Sequence, residues 1–390
     1  MNYYALIDDV QPAAGENSTL WVRLDAAECV GIESLSELYG PGLNKHMATL
    51  STCFFEVKTR ILPIDTTRWV MITDDIPRGI PAIRYPATYP SDGVETSISI
   101  QYVSPLLSRQ LTHQFRLSDP DATDQELMSP LSTIGIPKEF RCINVGQGHC
   151  SSLAASSKQP ADLYIDFGLA FGGNARTAPT AVHFCTAHQP PVILSHWDVD
   201  HYHGAHKSPD ITRSTWIVPR QTPLGPTARK LAATISLNGT LLIWPSSHRV
   251  KKLSPWIFVS KGYGRSRNDS GLIVRSTVAG RRILFPGDAR YASVVWPLNA
   301  NNDILVVSHH GGSVLDRVPA PRTLVGSCAV LSYGKGNTYG HPHPATIQQL
   351  TQLWSQTVKT HGGTVGFSSA AVAICGCGNP TCSLQIVQQV

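Results

Sequence analysis

The stretch Pro191-Val-Ile-Leu-Ser-His196-Trp-Asp198-Val-Asp200-His201 runs from an apolar strand into a loop that carries four metal-ligating side chains. In a loop that is first extended and then turns, His196 and Asp198 point the same way, and Asp200 and His201 fall on the other side of the turn. Two cations a few ångströms apart could be held in that way. Two-metal hydrolytic sites need a spacing of roughly 3.5–4 Å, so that attacking and leaving oxygens are both stabilised. A polar surface loop is the bland alternative. Four ligand-type residues directly after a buried strand weigh against it.

Other apolar runs end in the same kind of residue. Arg282-Ile-Leu-Phe-Pro-Gly-Asp288 ends in a carboxylate that could bridge two ions, and Asp303-Ile-Leu-Val-Val-Ser-His309-His310 ends in paired histidines. Leu331-Ser-Tyr-Gly-Lys-Gly-Asn337-Thr-Tyr-Gly-His341 supplies one more. Gly146-Gln147-Gly148 reads either as a cradle for an anionic oxygen, through its backbone N–H groups, or as a tight structural turn. His248-Arg-Val-Lys-Lys252, Lys261-Gly-Tyr-Gly-Arg265-Ser-Arg267 and Arg281-Arg282 are basic. The second interleaves Tyr263 with cations, which suits phosphate contact and base stacking; solvated loop charge is the alternative.

Seven segments in chain order carry a resemblance to a known superfamily. They are Asn144-Val-Gly-Gln-Gly148, Tyr164-Ile-Asp166-Phe-Gly168, Ser195-His-Trp-Asp-Val-Asp-His201, Asn268-Asp-Ser270, Phe285-Pro-Gly-Asp288, Val307-Ser-His-His-Gly-Gly312 and Asn337-Thr-Tyr-Gly-His-Pro342. Together they resemble the metallo-β-lactamase-fold hydrolases, and within them the soluble hydrolase domain of ComEC-type DNA-uptake proteins. The resemblance spans about residues 140–370. It implies an α/β fold, a four-layer αββα sandwich with a dinuclear site at one edge. It implies that His196 and Asp198 hold one metal, that Asp200 and His201 hold the other, and that Asp288 bridges them. His309 or His310 would complete the set, with His309 taken as the ligand and His310 turned to the substrate. A bridging hydroxide would be the nucleophile, Asp200 could also accept a proton, and His310 and His341 would stabilise developing charge. Asp198 stands where lactamases carry the second histidine of the loop. His149 departs from the ComEC-like pattern, which has Asp there, and could position substrate or add a ligand. The substrate-side candidates are Gly146, Gln147, His149, Asn268, Lys261, Arg265 and Arg267. Two divalent ions are implied; the carboxylate-rich set suits Mn²⁺ or Mg²⁺, with Zn²⁺ also open.

The elements that must position these groups are visible as strand-like runs. EFRCINVG, ADLYIDFG, PVILSH, STWIVP, TLLIWP, GLIVRST, RRILFPGD, DILVVSHH and CAVLSYG recur after residue 136, and the candidates stand at their C-terminal ends, where α/β folds place active sites. PTARKLAATISL and HPATIQQLTQLWSQTV, between such runs, read as helical or loop segments. Before that, STLWVRL, TCFFEVKTRILPI, RWVMI and TSISIQYV are short alternating runs separated by Pro, Gly and Asp, which predicts a small β-rich or α+β domain. LSDPDATDQELMSPLSTIGIP reads as the linker, which divides the chain into an accessory domain, 1–135, and a hydrolase domain, 136–390.

Charge separates the same two parts. Residues 1–135 hold 9 Lys and Arg against 17 Asp and Glu, and residues 136–390 hold 23 against 10. The basic part also holds 13 of the 15 histidines, which points to a polyanionic substrate. The acidic part could dock on it or mimic that substrate, or could serve a protein partner. No run approaches the roughly 18–20 apolar residues of a membrane span. The start lacks a signal peptide's pattern, and the odd number of nine scattered cysteines predicts reduced thiols and a cytoplasmic protein. Cys375, Cys377 and Cys382 fall one short of a closed four-ligand zinc site, so incidental thiols are the preferred reading. The function expected is therefore a metal-dependent phosphodiesterase, a nuclease. A small-molecule hydrolase (head-group phosphodiesterase, lactone or thioester hydrolase) and a partner-regulated effector component are the alternatives.

Overall fold

The computed structural model describes residues 1–13, 19–33, 41–60, 68–89, 92–156, 160–295, 298–313, 316–367 and 388–390. Cys375, Cys377 and Cys382 lie outside the described residues. The chain forms two compact units. One comprises Met1–Asp119, Gln221–Thr240 and Thr338–Gly340; the other comprises Pro120–Arg220, Leu241–Asn337 and His341–Val390.

In the first unit six strands close an antiparallel barrel. They are β1 (Asn2–Pro12), β2 (Leu20–Glu28), β3 (Thr52–Thr59), β4 (Trp69–Asp74), β5 (Ile80–Pro86) and β6 (Val94–Tyr102), in the order β1-β2-β3-β5-β6-β4. Period-two alternation sends Tyr3, Ala5 and Ile7, and likewise Val22, Leu24 and Ala26, into the barrel. Leu6, Ala27 and Trp69 face outward and are covered by Leu43 and Met47 of helix Pro41–Thr49, Leu111 of helix Pro105–Gln114, and Ala233 of helix Pro226–Asn238. The last helix is fastened by polar contacts. The Thr227 N–H donates to both oxygens of Asp25, at 3.0 and 2.9 Å, and Arg229 Nη2 donates to Asn44 Oδ1 at 2.6 Å. Part of the acidity of this region is internal: Asp8, Asp25, Glu56 and Asp74 are all buried, and Arg23 lies against Asp8 and Glu56.

The second unit holds two sheets. The eight-stranded sheet has the order β12-β11-β10-β9-β8-β7-β20-β21. Its strands are β7 (Glu139–Cys142), β8 (Cys150–Ala154), β9 (Leu163–Phe167), β10 (Val192–Ile193), β11 (Thr215–Pro219), β12 (Thr240–Trp244), β20 (Val365–Phe367) and β21 (Gln388–Gln389). The seven-stranded sheet runs in sequence order, through β13 (Val250–Ser254), β14 (Ile257–Lys261), β15 (Leu272–Val278), β16 (Arg281–Phe285), β17 (Ile304–Val306), β18 (Cys328–Leu331) and β19 (Gln356–Lys359). Phe140, Leu153, Ile165, Ile193 and Ile217 of one sheet share a core with Val259, Val274, Ile283, Ile304 and Val330 of the other. Ile273, Leu284, Leu305 and Ala329 point to the opposite side of the second sheet, where Leu350 of helix Pro344–Leu353 packs. Short turns at Val199–Tyr202 and Pro209–Arg213 meet β9 and β11 on the first sheet.

Each sheet has a parallel run, β9-β10-β11 in one and β16-β17-β18-β19 in the other. Parallel pairing puts the C-terminal ends of these strands on one edge. The loops bearing the candidate ligands therefore emerge together.

Three sequence expectations change. The division falls between Asp119 and Pro120, not near residue 136, because the supposed linker contains helix Asp124–Ser132. Thr123 and Glu126 form a reciprocal capping box there, and Leu127 and Leu131 are fully buried in the core shared by the sheets. The accessory region also takes segments 221–240 and 338–340 from later in the chain. The stretch HPATIQQLTQLWSQTV, expected as a helical or loop segment, is helical only to Leu353, and Gln356–Lys359 pairs with β18 as a strand. The six cysteines among the described residues are unbridged and buried, and no helix among those residues is long and apolar enough to cross a membrane. Leu127→Ala should cost about 2–4 kcal/mol of stability in urea unfolding followed by tryptophan fluorescence. Met128→Ala, at an exposed neighbour, should change little. Equal effects of the two would restore the linker.

Candidate metal centre

The strand ends converge on a buried cluster of carboxylates and imidazoles. β10 leads into Ser195 and His196, and Asp198 caps the short helix Val199–Tyr202 that holds Asp200 and His201. β16 delivers Asp288, and β17 delivers His309 and His310. His201 Nε2 lies 3.1 Å from Asp288 Oδ1, and His310 Nε2 lies 3.2 Å from Asp200 Oδ2. His196 Nε2 lies 3.2 Å from Asp198 Oδ2 and 3.8 Å from Asp288 Oδ2. Two overlapping groups have donor atoms close enough to share an ion: His196, His201 and Asp288, and Asp200, His201 and His310.

The imidazoles are held from behind. His201 Nδ1 faces Asp166 Oδ2 at 2.8 Å, His196 Nδ1 faces Ser195 Oγ at 2.9 Å, and His310 Nδ1 faces the Ser332 carbonyl at 2.9 Å. A carbonyl only accepts, so the proton of His310 sits on Nδ1 and the Nε2 lone pair points into the cluster. Asp166 also accepts from the Ser195 N–H at 2.6 Å and the Ser195 hydroxyl at 2.8 Å. That leaves the Ser195 oxygen to receive the Nδ1 proton of His196. The Nε2 atoms of His196, His201 and His310 are all buried and make no hydrogen bond. Histidine ligands to metals are oriented in this way, one nitrogen anchored and the other free to coordinate. The donor set fits divalent cations.

Charge gives the same answer. Asp166, Asp198, Asp200 and Asp288 lie within one pocket, and uncompensated burial of carboxylates is expensive. Burial pushes Asp288 and Asp200 up, but the neighbouring rings outweigh it and hold both below the usual carboxylate range. Burial likewise opposes charge on His201, yet Asp288 and Asp166 raise it well above the ordinary imidazole value. A proton on His201 Nε2 and a cation would compete for one lone pair.

The backbone is held in unusual conformations to achieve this. Asp166, His309 and His310 have φ of 57°, 52° and 53°, in the left-handed region that non-glycine residues rarely enter. Such residues cost about 1–3 kcal/mol each and persist where surroundings over-determine them. Gly168, two residues after Asp166, has no room for a side chain: a Cβ would sit 1.9 Å from the Asp200 carbonyl oxygen.

The remaining sequence candidates are redistributed. His310, rather than His309, joins the candidate ligand group; His309 Nε2 is 3.8 Å from Asp288 and the ring is more exposed. His341 lies 5.3 Å from His309, ring to ring, and its Nδ1 faces Gln147 Nε2 at 3.3 Å. Asn337 clamps His341 at both its N–H and its carbonyl. Burial together with His309 and His310 holds His341 well below its ordinary value, so its ring is neutral. Two amides of the glycine turn are used internally: Gly146 N–H goes to Asn144 Oδ1 and Gln147 N–H to Thr177 Oγ1. Gln147 itself is buried and accepts from the Gly334 N–H. His149 is likewise engaged with other protein groups. It is buried behind His201 at 6.0 Å, its Nε2 lies against Ser151 Oγ at 3.2 Å, and burial pushes it down to about 4. Arg267 donates to Asp198 Oδ1 at 2.8 Å instead of standing free for substrate. Asn268 is half-buried in the turn Asn268–Ser270, Lys261 is half-buried at the end of β14, and Arg265 is exposed. Asp166, Ser195 and Ser332 are positioning residues to which sequence reasoning assigns no role. An Asp ending an apolar strand, two residues before a glycine, was the available signal for the first.

No family model matches the chain, and no curated protein matches it. Among solved structures it is similar to a metal-dependent hydrolase of the β-lactamase superfamily, at 10% identity over 59% of this chain and 100% of that one, with a TM-score of 0.36. It is similar to Zn²⁺-bound PqqB from Methylobacterium extorquens, at 11% identity over 58% and 99%, with a TM-score of 0.35. It is also similar to CmlA, a diiron β-hydroxylase from Streptomyces venezuelae, at 12% identity over 88% and 73%, with a TM-score of 0.37. These values are low, and the chemistry of the centre rests on its own geometry.

Asp166→Asn should weaken divalent-ion binding roughly 10–100-fold, measured by equilibrium dialysis, because it removes the anchor of His201. His310→Ala should lose an ion that His309→Ala retains. The reverse result would return the ligand role to His309.

Proposed function

We propose that the chain is a metal-dependent hydrolase of the metallo-β-lactamase fold that cleaves phosphodiesters, with nucleic acid as its substrate. The observation that carries the hydrolytic reading is the trio of buried, unbonded Nε2 atoms aimed at shared carboxylates, each histidine fixed through Nδ1. His196, Asp198, Asp200, His201, Asp288 and His310 would hold two divalent ions. Three imidazoles with three carboxylates suit Mn²⁺ or Zn²⁺ better than Mg²⁺. Bound there, the ions supply Lewis acidity, which activates water near neutral pH and neutralises phosphate charge.

The chain's own groups prepare the rest. The Gln147 carbonyl oxygen accepts from Gly334, which turns its amide nitrogen toward His341 Nδ1. His341 then carries its proton on Nε2 and can donate it to an oxygen that gains charge in the transition state. His309 stands beside it on the more open side of the pair.

Phosphodiester specificity draws on the segment from Lys261 to Arg267. Tyr263 is 55% exposed, the Arg249 guanidinium lies 5.8 Å from its ring centroid, and Arg265 is exposed. Arg267, two residues on, touches Asp198, which ties this stacking and cationic surface to the centre. A ring that can stack on bases beside cations that can meet phosphates is the pattern of single-strand binding.

Purified protein loaded with Mn²⁺ or Zn²⁺ should cleave linear DNA, plasmid or RNA, and Asp200→Ala should remove cleavage without altering its circular dichroism. Tyr263→Ala with Arg265→Ala should weaken nucleic-acid binding and flatten its salt dependence. Metal-containing protein that cleaves none of these, but does hydrolyse bis(p-nitrophenyl) phosphate, would move the substrate to a small phosphodiester. Activity surviving Asp200→Ala would overturn the site assignment.

A further inference from the structure

Arg267 is the one cation shown in direct contact with a candidate metal ligand among the described residues, and it is not a loose surface arginine. Its side chain is only 15% exposed, and its Nη1 lies 2.8 Å from Asp198 Oδ1. The other oxygen of Asp198 faces His196 Nε2. The carboxylate is thus shared between a permanent positive charge and the cluster.

The segment that carries Arg267 is fixed on both sides. Gly262 N–H donates to the Gly271 carbonyl at 2.8 Å, Gly264 N–H to the Asp269 carbonyl at 3.0 Å, and Ser270 N–H to the Ser266 carbonyl at 3.0 Å. Asp269 is buried and receives the Arg290 N–H and Nε at 2.9 and 2.8 Å. A Cβ at Gly264 would lie 1.9 Å from the Asp269 Cβ, so the loop has no slack there. Leu272 N–H closes the segment on the Ser195 carbonyl at 2.6 Å, directly behind His196. The loop therefore delivers the guanidinium to Asp198 as part of its folded structure.

This divides the two cation positions. Among the described residues no lysine or arginine is shown against Asp200, His201 or His310, and Asp288 is shared with His196 and His201. The position at His196 and Asp198 already holds one positive charge. A dication placed there must share Asp198 with Arg267 and sit against its charge. We propose that Arg267 makes the two positions unequal: the Asp200–His201–His310 position binds its ion tightly, and the His196–Asp198 position binds weakly. The weak position fills when an anionic substrate adds an oxygen donor and negative charge. Arg267 acts through Asp198 and is a positioning residue.

The inference rests on the two-cation reading above, and its test separates the two. Isothermal titration of the full chain with Mn²⁺ or Zn²⁺, checked by elemental analysis after dialysis, should show one tight and one weak class of site. Arg267→Gln should strengthen the weak class roughly tenfold and leave the tight class unchanged. Arg267→Lys, which keeps the charge, should stay near the parent chain, and circular dichroism should show all three folded alike. Asp198→Asn should remove the weak class alone. If the parent chain binds no divalent ion, the metal-centre reading itself fails. If it binds two ions equally, or if Arg267→Gln weakens the second ion, leaves it unchanged or shifts both together, the centre stands and the role of Arg267 falls.

Discussion

Four carboxylates and three imidazoles share one small, largely buried volume at the edge of two facing sheets, and their charges have to be balanced there. The balance depends on the hydrogen bonds behind the rings. Asp166 holds His201 and Ser195, Ser195 holds His196, and the Ser332 carbonyl holds His310, so the lone pairs that face inward are decided by partners on the far side of each ring. Left-handed conformations at Asp166 and His310 fall on residues that these bonds hold, and His309 is held by its backbone, its N–H on the Gly287 carbonyl and its own carbonyl accepting from the Gly312 N–H.

The sheets supply the geometry that this arrangement needs. Two parallel runs, one per sheet, bring β9, β10, β16, β17 and β18 to one edge, and a shared core of aliphatic side chains fixes their spacing. Dense packing resists displacement, so the ligand loops inherit their precision from strands rather than from their own stiffness. Leu127 and Leu131 join that same core, which explains why a stretch rich in Ser, Pro and Asp folds as a helix instead of a linker. Its capping box supplies the local start, and burial of two leucines supplies the reason to stay.

Several side chains that read as substrate contacts turn out to act on other protein groups. Gln147 orients His341, His149 packs behind His201, and Arg267 binds Asp198. Each of them contacts a residue of the cluster or of its surroundings. Residue chemistry states what a group can bind. Which partner it meets first is set by contacts made tens or hundreds of residues away in the chain.

The amino-acid sequence alone determined the loop His196–His201, the strand-then-ligand pattern at Asp288 and His309–His310, and the strand positions around them. Those follow from local rules: apolar alternation makes strands, and ligand-type residues at strand ends are conspicuous where polar side chains are otherwise solvated. Tertiary structure alone decided that His310 joins the ligand group ahead of His309, that Asp166, Ser195 and Ser332 orient the rings, and that Arg267 stands against Asp198. It also decided that segments 221–240 and 338–340 belong with the barrel. These are pairings between distant residues, whose energy depends on orientation and burial, and spacing along one chain does not encode either.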